Sequence, residues 1–445
     1  MTLHTDTAPS PATDWPQRSL RAVWHPCTQM ARAEQVPPLA IARGAGPWLY
    51  GYDGRRYFDA NSSWWVNLFG HADARTNDAI KQQLDTLPHV MLAGCTHAPA
   101  VLLAEKLAAL TGGALGHTFF ASDGASAVEI ALKMSFHAWR NLGQSARREF
   151  ICLRHGYHGE TLGALSVTDV AVFRDAYDPL LMRSHVVEAP DSRQGPMQEA
   201  RALADMRRML TERRGHIAAV IIEPLVQCAA GMVMHEPSYL RALRALCDEF
   251  DVHLIADEIA VGCGRSGSFF AFEQADAGWP DFITLSKGIS GGTLPLSLVL
   301  TTDAVYQCFW SEQVERGFLH SHSYTGNALA CAAANAVLDR FASDDVLARN
   351  RDQARWLADA FAPLATDARV QHLRQRGMIL AFDVREDLAP PGFAERFHLV
   401  ARQHELLIRP IGRTVYVMPP YVMDEALAQF LARAVMATLD GVLAC

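Results

Sequence analysis

No CxxC spacing occurs among the nine cysteines, which run from Cys27 to Cys445 and leave at least one unpaired in any scheme. That argues against a disulfide framework and for reduced thiols, as in the cytoplasm. Basic residues cluster only as the pairs Arg147-Arg148, Arg207-Arg208 and Arg213-Arg214, without interleaved aromatics, and the formal net charge is -8. The footprint of a nucleic-acid binder is therefore missing, and any anion binding must be local. No run approaches the roughly eighteen apolar residues that span a bilayer. The first residues, MTLHTDTAPSPATDWPQ, lack a basic start followed by an apolar core, so no membrane association or export is expected. No GxGxxG follows an early strand, which disfavours a dinucleotide-binding enzyme. Internal repeats and low-complexity runs are also absent.

What is present is apolar residues in quantity, 50% of 445, enough for a sizeable core. Residues 1–15, rich in Thr, Pro, Ala and Ser without periodicity, are expected to be disordered or extended. Around Tyr52-Asp53-Gly54 two alternating runs flank an Asp-Gly pair, a hairpin signal. From about residue 64 to 341, helical periods alternate with short apolar runs at 150–153, 218–222, 252–256 and 282–285, as in a mostly parallel α/β sheet. After a helical stretch through Arg340, RGMILAFDV, LLIRPIG and RTVYVMPPY read as strands of a mixed α+β part.

The segment 251–292 carries the chemistry. Its two apolar runs suit buried parallel strands, and each ends in charged or polar groups: Asp257 and Glu258 after the first, Ser286 and Lys287 after the second. A lysine and a carboxylate facing one site suit pyridoxal phosphate (PLP), whose aldehyde a lysine binds and whose ring nitrogen an aspartate keeps protonated. A strand-end cap and a surface lysine beside a glycine turn would give the same spacing.

The wording of the segment is more specific. ADEIAVGCGRSG followed by LSKGISGG resembles the cofactor-binding segments of the class III PLP aminotransferases, and the similarity runs from VWHPCTQM to IRPIGRTVYVMPPY. SSWWVNLFGH, THAPA, GYHGET and GNALACAAA resemble the branch that makes 7,8-diaminopelargonic acid for biotin synthesis. The resemblance implies fold type I: a large, mostly parallel α/β PLP domain over 64–341, and a small α+β domain built from 16–63 and 342–445. It also implies a homodimer with shared active sites. The implied acceptor is 8-amino-7-oxononanoate and the implied donor S-adenosylmethionine, lysine serving in some members. An ω-amino acid or diamine:pyruvate aminotransferase shares Asp257, Lys287 and the glycine segments. A PLP-fold binding protein without turnover is disfavoured by the intact Lys287 and Asp257.

Individual residues follow from both readings. Ser122-Asp123-Gly124-Ala125-Ser126 precedes a helical pattern, so its N–H groups could bind phosphate or simply be capped by Ser or Asp. The resemblance assigns the phosphate to Gly124 and Ala125. Serine is common at position 125, which leaves backbone donors or the Ser126 hydroxyl to serve instead. His155 and His158 are three apart but flanked by glycines, with no third ligand nearby, and no metal is expected. The resemblance lays Tyr157 over the cofactor ring and pairs Glu160, where Asp is usual, with Arg265. It makes Trp64 and Trp65 an apolar wall for a long aliphatic substrate, although core packing is the commoner fate of tryptophan. Arg409 becomes the carboxylate clamp, for which a guanidinium fork is well shaped. Ser321, His322 and Ser323, where Gly-Pro-Thr is frequent, would close the neighbouring subunit's phosphate site and touch substrate. Cys27 stands where many members have Tyr, and is expected to line the pocket as a small group that cannot make the tyrosine's hydrogen bond.

Overall fold

The computed structural model describes residues 14–444. Most of the stretch expected to be disordered, residues 1–13, lies outside that range. Its last residue does not fit the expectation, because Trp15 opens a helix, Trp15–Ala22, with the Asp14 carboxylate accepting the Gln17 N–H. An acidic side chain at that position satisfies a helix donor that would otherwise lack a partner.

A seven-stranded sheet forms the centre, in the order His117–Ala121, Ser297–Thr301, Phe282–Leu285, His253–Asp257, Ile217–Ile222, Glu149–Leu153, Ser184–Val187. Only Ser297–Thr301 runs antiparallel to its neighbours. Ile217–Ile222 is buried at every position, because helices cover both faces of such a sheet and no alternation is needed. Helix Gly124–Asn141 packs across Ile217–Ile222, Phe282–Leu285 and Ser297–Thr301, while Pro196–Glu212 packs on Pro237–Phe250 and Ser184–Val187. The four strands predicted between residues 64 and 341 all occur, each within one residue of its expected bounds.

The predicted hairpin joins Trp48–Gly51 to Arg56–Asp59. These strands and Ile41–Ala45 form a sheet completed from the far end of the chain by Leu406–Leu407, parallel to Arg56–Asp59, with Leu406 opposite Phe58 and Leu407 opposite Asp59. A three-stranded antiparallel sheet, Val370–Arg376, Ile379–Val384 and Thr414–Val417, stands beside it in sequence. Helix Glu425–Leu443 is long and apolar enough by composition to cross a membrane, with mean hydropathy 1.4. It instead lays Leu431, Val435 and Leu439 into the hydrophobic core and packs on Val346–Phe361 and Phe393–Ala401.

Candidate active site

Asp257 and Lys287 meet because their strands are neighbours: Asp257 pairs with Thr284, and Lys287 follows three residues later. Asp257 ends its strand only 4% exposed. Its Oδ1 accepts the Ile259 N–H at 3.1 Å and faces the Thr284 hydroxyl at 3.3 Å, while Oδ2 lies 2.7 Å from His158 Nδ1. Two carboxylate oxygens offer about four lone-pair positions, so capacity for one more donor remains. Lys287 sits at φ 46°, a backbone region unfavourable for a long side chain. Its Nζ makes no hydrogen bond or ion pair among the described residues and lies 5.1 Å from the Trp65 ring centroid. Burial pushes its pKa below the ordinary lysine value, against the pull of Asp257, Cys228 and Glu223.

Helix Gly124–Asn141 points its first turn at the same end of the sheet. Asp123 caps it through the Ser126 N–H at 2.9 Å and the Ser126 hydroxyl at 2.8 Å. The Ser126 hydroxyl is therefore already engaged, whereas the Gly124 and Ala125 N–H groups have no acceptor among the described residues. Gly159, at φ 123°, closes on this turn so tightly that a Cβ there would lie 2.6 Å from the Ala125 Cβ. An unspent pair of N–H groups, a lysine without a hydrogen-bond partner and a buried carboxylate with spare capacity fit the phosphate, aldehyde and ring nitrogen of PLP respectively.

Tyr157 is held at both ends. Its N–H donates to Glu223 Oε2 at 3.0 Å and its hydroxyl to Glu160 Oε1 at 2.8 Å, with Phe173 edge-on. Burial and the Glu160 carboxylate raise the phenol pKa, so it remains a neutral donor. The exposed Cys27 joins this group: burial of its thiol and the Glu160 charge raise its pKa, and the Arg409 charge lowers it. Arg409 itself is exposed, forms no ion pair among the described residues, and places Cζ 5.8 Å from the Trp64 ring centroid. Trp64 is half-exposed, whereas Trp65 is buried and donates Nε1–H to the Tyr416 hydroxyl at 3.0 Å.

The expected Glu160–Arg265 pair does not form. Arg265 is 1% exposed, and its guanidinium donates to the carbonyls of Pro419 at 2.7 Å, Asn67 at 2.8 Å and Trp65 at 3.4 Å. These backbone acceptors converge inside the core, while Glu160 stays at the surface bound to Tyr157. An interior guanidinium takes the partners that its own burial leaves in reach. Ser321, His322 and Ser323 make their contacts elsewhere. His322 Nε2 is 3.2 Å from His320 Nε2, whose ring faces Lys133 Nζ at 2.8 Å, and the Ser323 carbonyl faces His89 Nε2 at 2.9 Å. Within one chain these three residues make no described contact with Lys287, Asp257, Tyr157, Gly124 or Ala125.

Two participants escaped the sequence reading. His158 drew notice only as a metal candidate, and its partner Asp257 is 99 residues away. Glu223 is 5% exposed, its carboxyl pushed up to about 7 by burial, and it accepts the Tyr157 and Cys228 N–H groups. It follows the buried strand Ile217–Ile222 directly, the same strand-end signal that singled out Asp257.

Lysine and carboxylate at the ends of adjacent strands, with unspent helix N–H groups at the same end of the sheet, make up a site suited to PLP in a fold of type I. Residues 29–439 match the family model described as aminotransferase class-III, and the chain belongs to that family. It is 42% identical over 416 residues to the adenosylmethionine-8-amino-7-oxononanoate aminotransferase of Helicobacter pylori, covering 91% of this chain and 93% of the relative. The enzyme of that name from Geobacter sulfurreducens is 37% identical over 433 residues, covering 94% and 95%. The crystal structure of the Methanocaldococcus jannaschii enzyme of that name superposes with a TM-score of 0.90 at 32% identity, covering 96% of this chain and 98% of the other. A PLP-bound amine transaminase from an uncultivated Pseudomonas species matches with a TM-score of 0.90 at 30% identity, covering 95% and 99%.

Proposed function

We propose that this chain transfers an amino group to 8-amino-7-oxononanoate, giving 7,8-diaminononanoate in biotin biosynthesis, with S-adenosylmethionine as donor. The observation that carries the reading is a pair of contacts on adjacent tryptophans: the Lys287 amine lies 5.1 Å from the Trp65 ring centroid, and the guanidinium of Arg409, without a carboxylate partner among the described residues, lies 5.8 Å from the Trp64 ring centroid. A long aliphatic keto acid has the matching parts, and the names of the relatives support the same substrate.

Bound PLP supplies the aldehyde that takes up the donor's amino group and the electron sink that makes the adjacent C–H acidic. Lys287 would anchor the cofactor and, as a free neutral amine, would take up and return a proton at its Nζ; its lowered pKa favours that form. Asp257 keeps the ring nitrogen protonated, and His158 orients Asp257. Gly124 and Ala125 hold the phosphate through their N–H groups. Tyr157 would lie over the ring, with Glu160 fixing its hydroxyl. Trp64 and Trp65 line the alkyl chain, Arg409 binds the distal carboxylate, and Cys27 borders the entrance. Arg265 acts here by fixing the backbone of residues 65–67. Ser321, His322 and Ser323 serve the site of a second copy in a homodimer. The lack of any described contact with their own chain's site and the exposure of Met91, Leu319 and Tyr324 around them support that arrangement.

Supplying the purified holoenzyme with 8-amino-7-oxononanoate and a panel of donors tests the proposal. S-adenosylmethionine should give the most diaminononanoate. The amine transaminase match keeps a second reading in view, and turnover of β-alanine or putrescine with pyruvate, with none of the biotin precursor, would select it.

A further inference from the structure

The two indoles are presented by an unusual piece of backbone. Ser62, Ser63, Trp64 and Trp65 have φ of 49°, 49°, 71° and 74°, with ψ 50° and 47° at Ser63 and Trp64. They form a left-handed helical turn, closed by Trp65 N–H to Asn61 O at 2.8 Å and Val66 N–H to Ser62 O at 3.0 Å. Every L-residue in such a turn crowds its Cβ against the following carbonyl, and no glycine relieves the strain at any of the four. Backbone of this kind persists only where its surroundings over-determine it.

The surroundings here begin with Asp59, which ends strand Arg56–Asp59 and is 1% exposed. Its Oδ1 accepts the Ser63 N–H at 2.8 Å; its Oδ2 accepts the Ser63 hydroxyl at 2.6 Å and faces His71 Nε2 at 2.9 Å. The entry to the turn is tied to the strand Thr414–Val417 and the chain just after it. Asn61 Nδ2 donates to Tyr416 O at 3.0 Å, and Ser62 Oγ donates to Met418 O at 2.7 Å. The Arg409 N–H donates to Asn61 Oδ1 at 2.8 Å, so the turn and the guanidinium share one frame. Among the described residues Asp59 alone bonds to Ser63 in the middle of the turn, and it does so with both oxygens.

We infer that Asp59 is a positioning residue for the acceptor pocket: by clamping Ser63 it holds residues 62–65 in the left-handed turn that sets Trp65 against Lys287 and Trp64 against Arg409. The inference rests on the reading of Trp64, Trp65 and Arg409 as acceptor-binding groups. Asp59 touches neither acceptor nor cofactor, so its loss should act on acceptor binding and spare the PLP site. Because glycine adopts positive φ without strain, a turn eased by glycine should depend less on the clamp.

The test compares holoenzyme variants by acceptor Kd and KM, donor KM, PLP absorbance and the near-UV circular dichroism of tryptophan. Asp59→Ala should raise acceptor Kd and KM about tenfold, the scale of a lost charge-assisted hydrogen bond, and weaken the tryptophan signal with PLP absorbance unchanged. Adding Ser63→Gly to that variant should recover most of the lost acceptor affinity. An acceptor Kd unchanged in Asp59→Ala, or a double variant no better than Asp59→Ala, overturns the inference. Should Asp59→Ala fail to fold, Ser63→Ala, which deletes only the hydroxyl bond, takes its place: a several-fold rise in acceptor Kd supports the clamp and an unchanged value overturns it. Trp64→Ala separates the two claims. If it leaves acceptor Kd unaltered, the aromatic-wall reading fails; if it weakens the acceptor while Asp59→Ala does not, only the clamp fails.

Discussion

His158 Nδ1 lies 2.7 Å from Asp257 Oδ2, with both side chains almost completely withdrawn from water. A buried carboxylate stripped of such a partner is costly to keep ionised, and an ionised Asp257 is what a protonated cofactor ring requires. His158→Phe should therefore weaken PLP retention and lower kcat by about tenfold to a hundredfold, on the scale of one hydrogen bond to a charged group. His158→Asn, whose amide can reach where Nδ1 stands, should recover part of the loss. Dialysis against PLP-free buffer with absorbance readout checks this, and a His158→Phe enzyme equal to the parent would contradict it.

Arg409 has no ion-pair partner of its own among the described residues, so its charge is available to a ligand. Arg409→Ala should raise acceptor KM by about tenfold to a hundredfold with little change in kcat, since a distal carboxylate is held alike in ground and transition states. Arg409→Lys should restore only part, because an ammonium lacks the planar fork. Steady-state kinetics decide it, and unchanged KM in both variants would make Arg409 an ordinary surface residue.

Cys27 and Cys95 are both exposed, and Cys27 lies within the electrostatic reach of Glu160 and Arg409. Saturating acceptor should slow alkylation of Cys27 and leave Cys95 unaffected. Peptide mapping after timed alkylation gives the comparison, and equal reactivity of Cys27 with and without acceptor would place it outside the pocket. Cys27→Ser should keep most of the activity.

Glu258 is 1% exposed, and burial pushes its carboxyl up to about 8 even though it accepts the Ala271 and Phe272 N–H groups at 2.8 Å. The native state thus holds a proton that the unfolded chain releases near pH 4.5. Stability contributed by this group falls as pH rises from there to about 8 and is level above it. Relative to Glu258→Gln, which cannot titrate, the parent should lose up to about 1.4 kcal/mol per pH unit across that window. Urea unfolding of both proteins at several pH values measures it. A stability difference independent of pH would show the carboxyl to be ionised throughout.

The main sheet was legible because buried parallel strands leave short apolar runs, and Asp257 and Lys287 stood out at the ends of two of them. Side-chain partners were less so. His158 finds Asp257, and Arg265 finds Pro419, across separations of 99 and 154 residues that no local pattern encodes. The Arg265 partners that form are backbone carbonyls, which carry no residue signature at all. The left-handed turn at Ser62–Trp65 was invisible for a related reason: glycine and asparagine are the usual marks of positive φ, and here bonds from Asp59, Tyr416 and Met418 enforce it instead.

The most direct test of the acceptor assignment is a single-turnover half-reaction. The enzyme is first converted to the amino form of its cofactor, freed of donor, and mixed with 8-amino-7-oxononanoate while the PLP absorbance is followed. The expected result is stoichiometric return of the PLP spectrum with one equivalent of diaminononanoate per site, faster than with pyruvate at equal concentration. Rapid return with pyruvate and none with 8-amino-7-oxononanoate would contradict it.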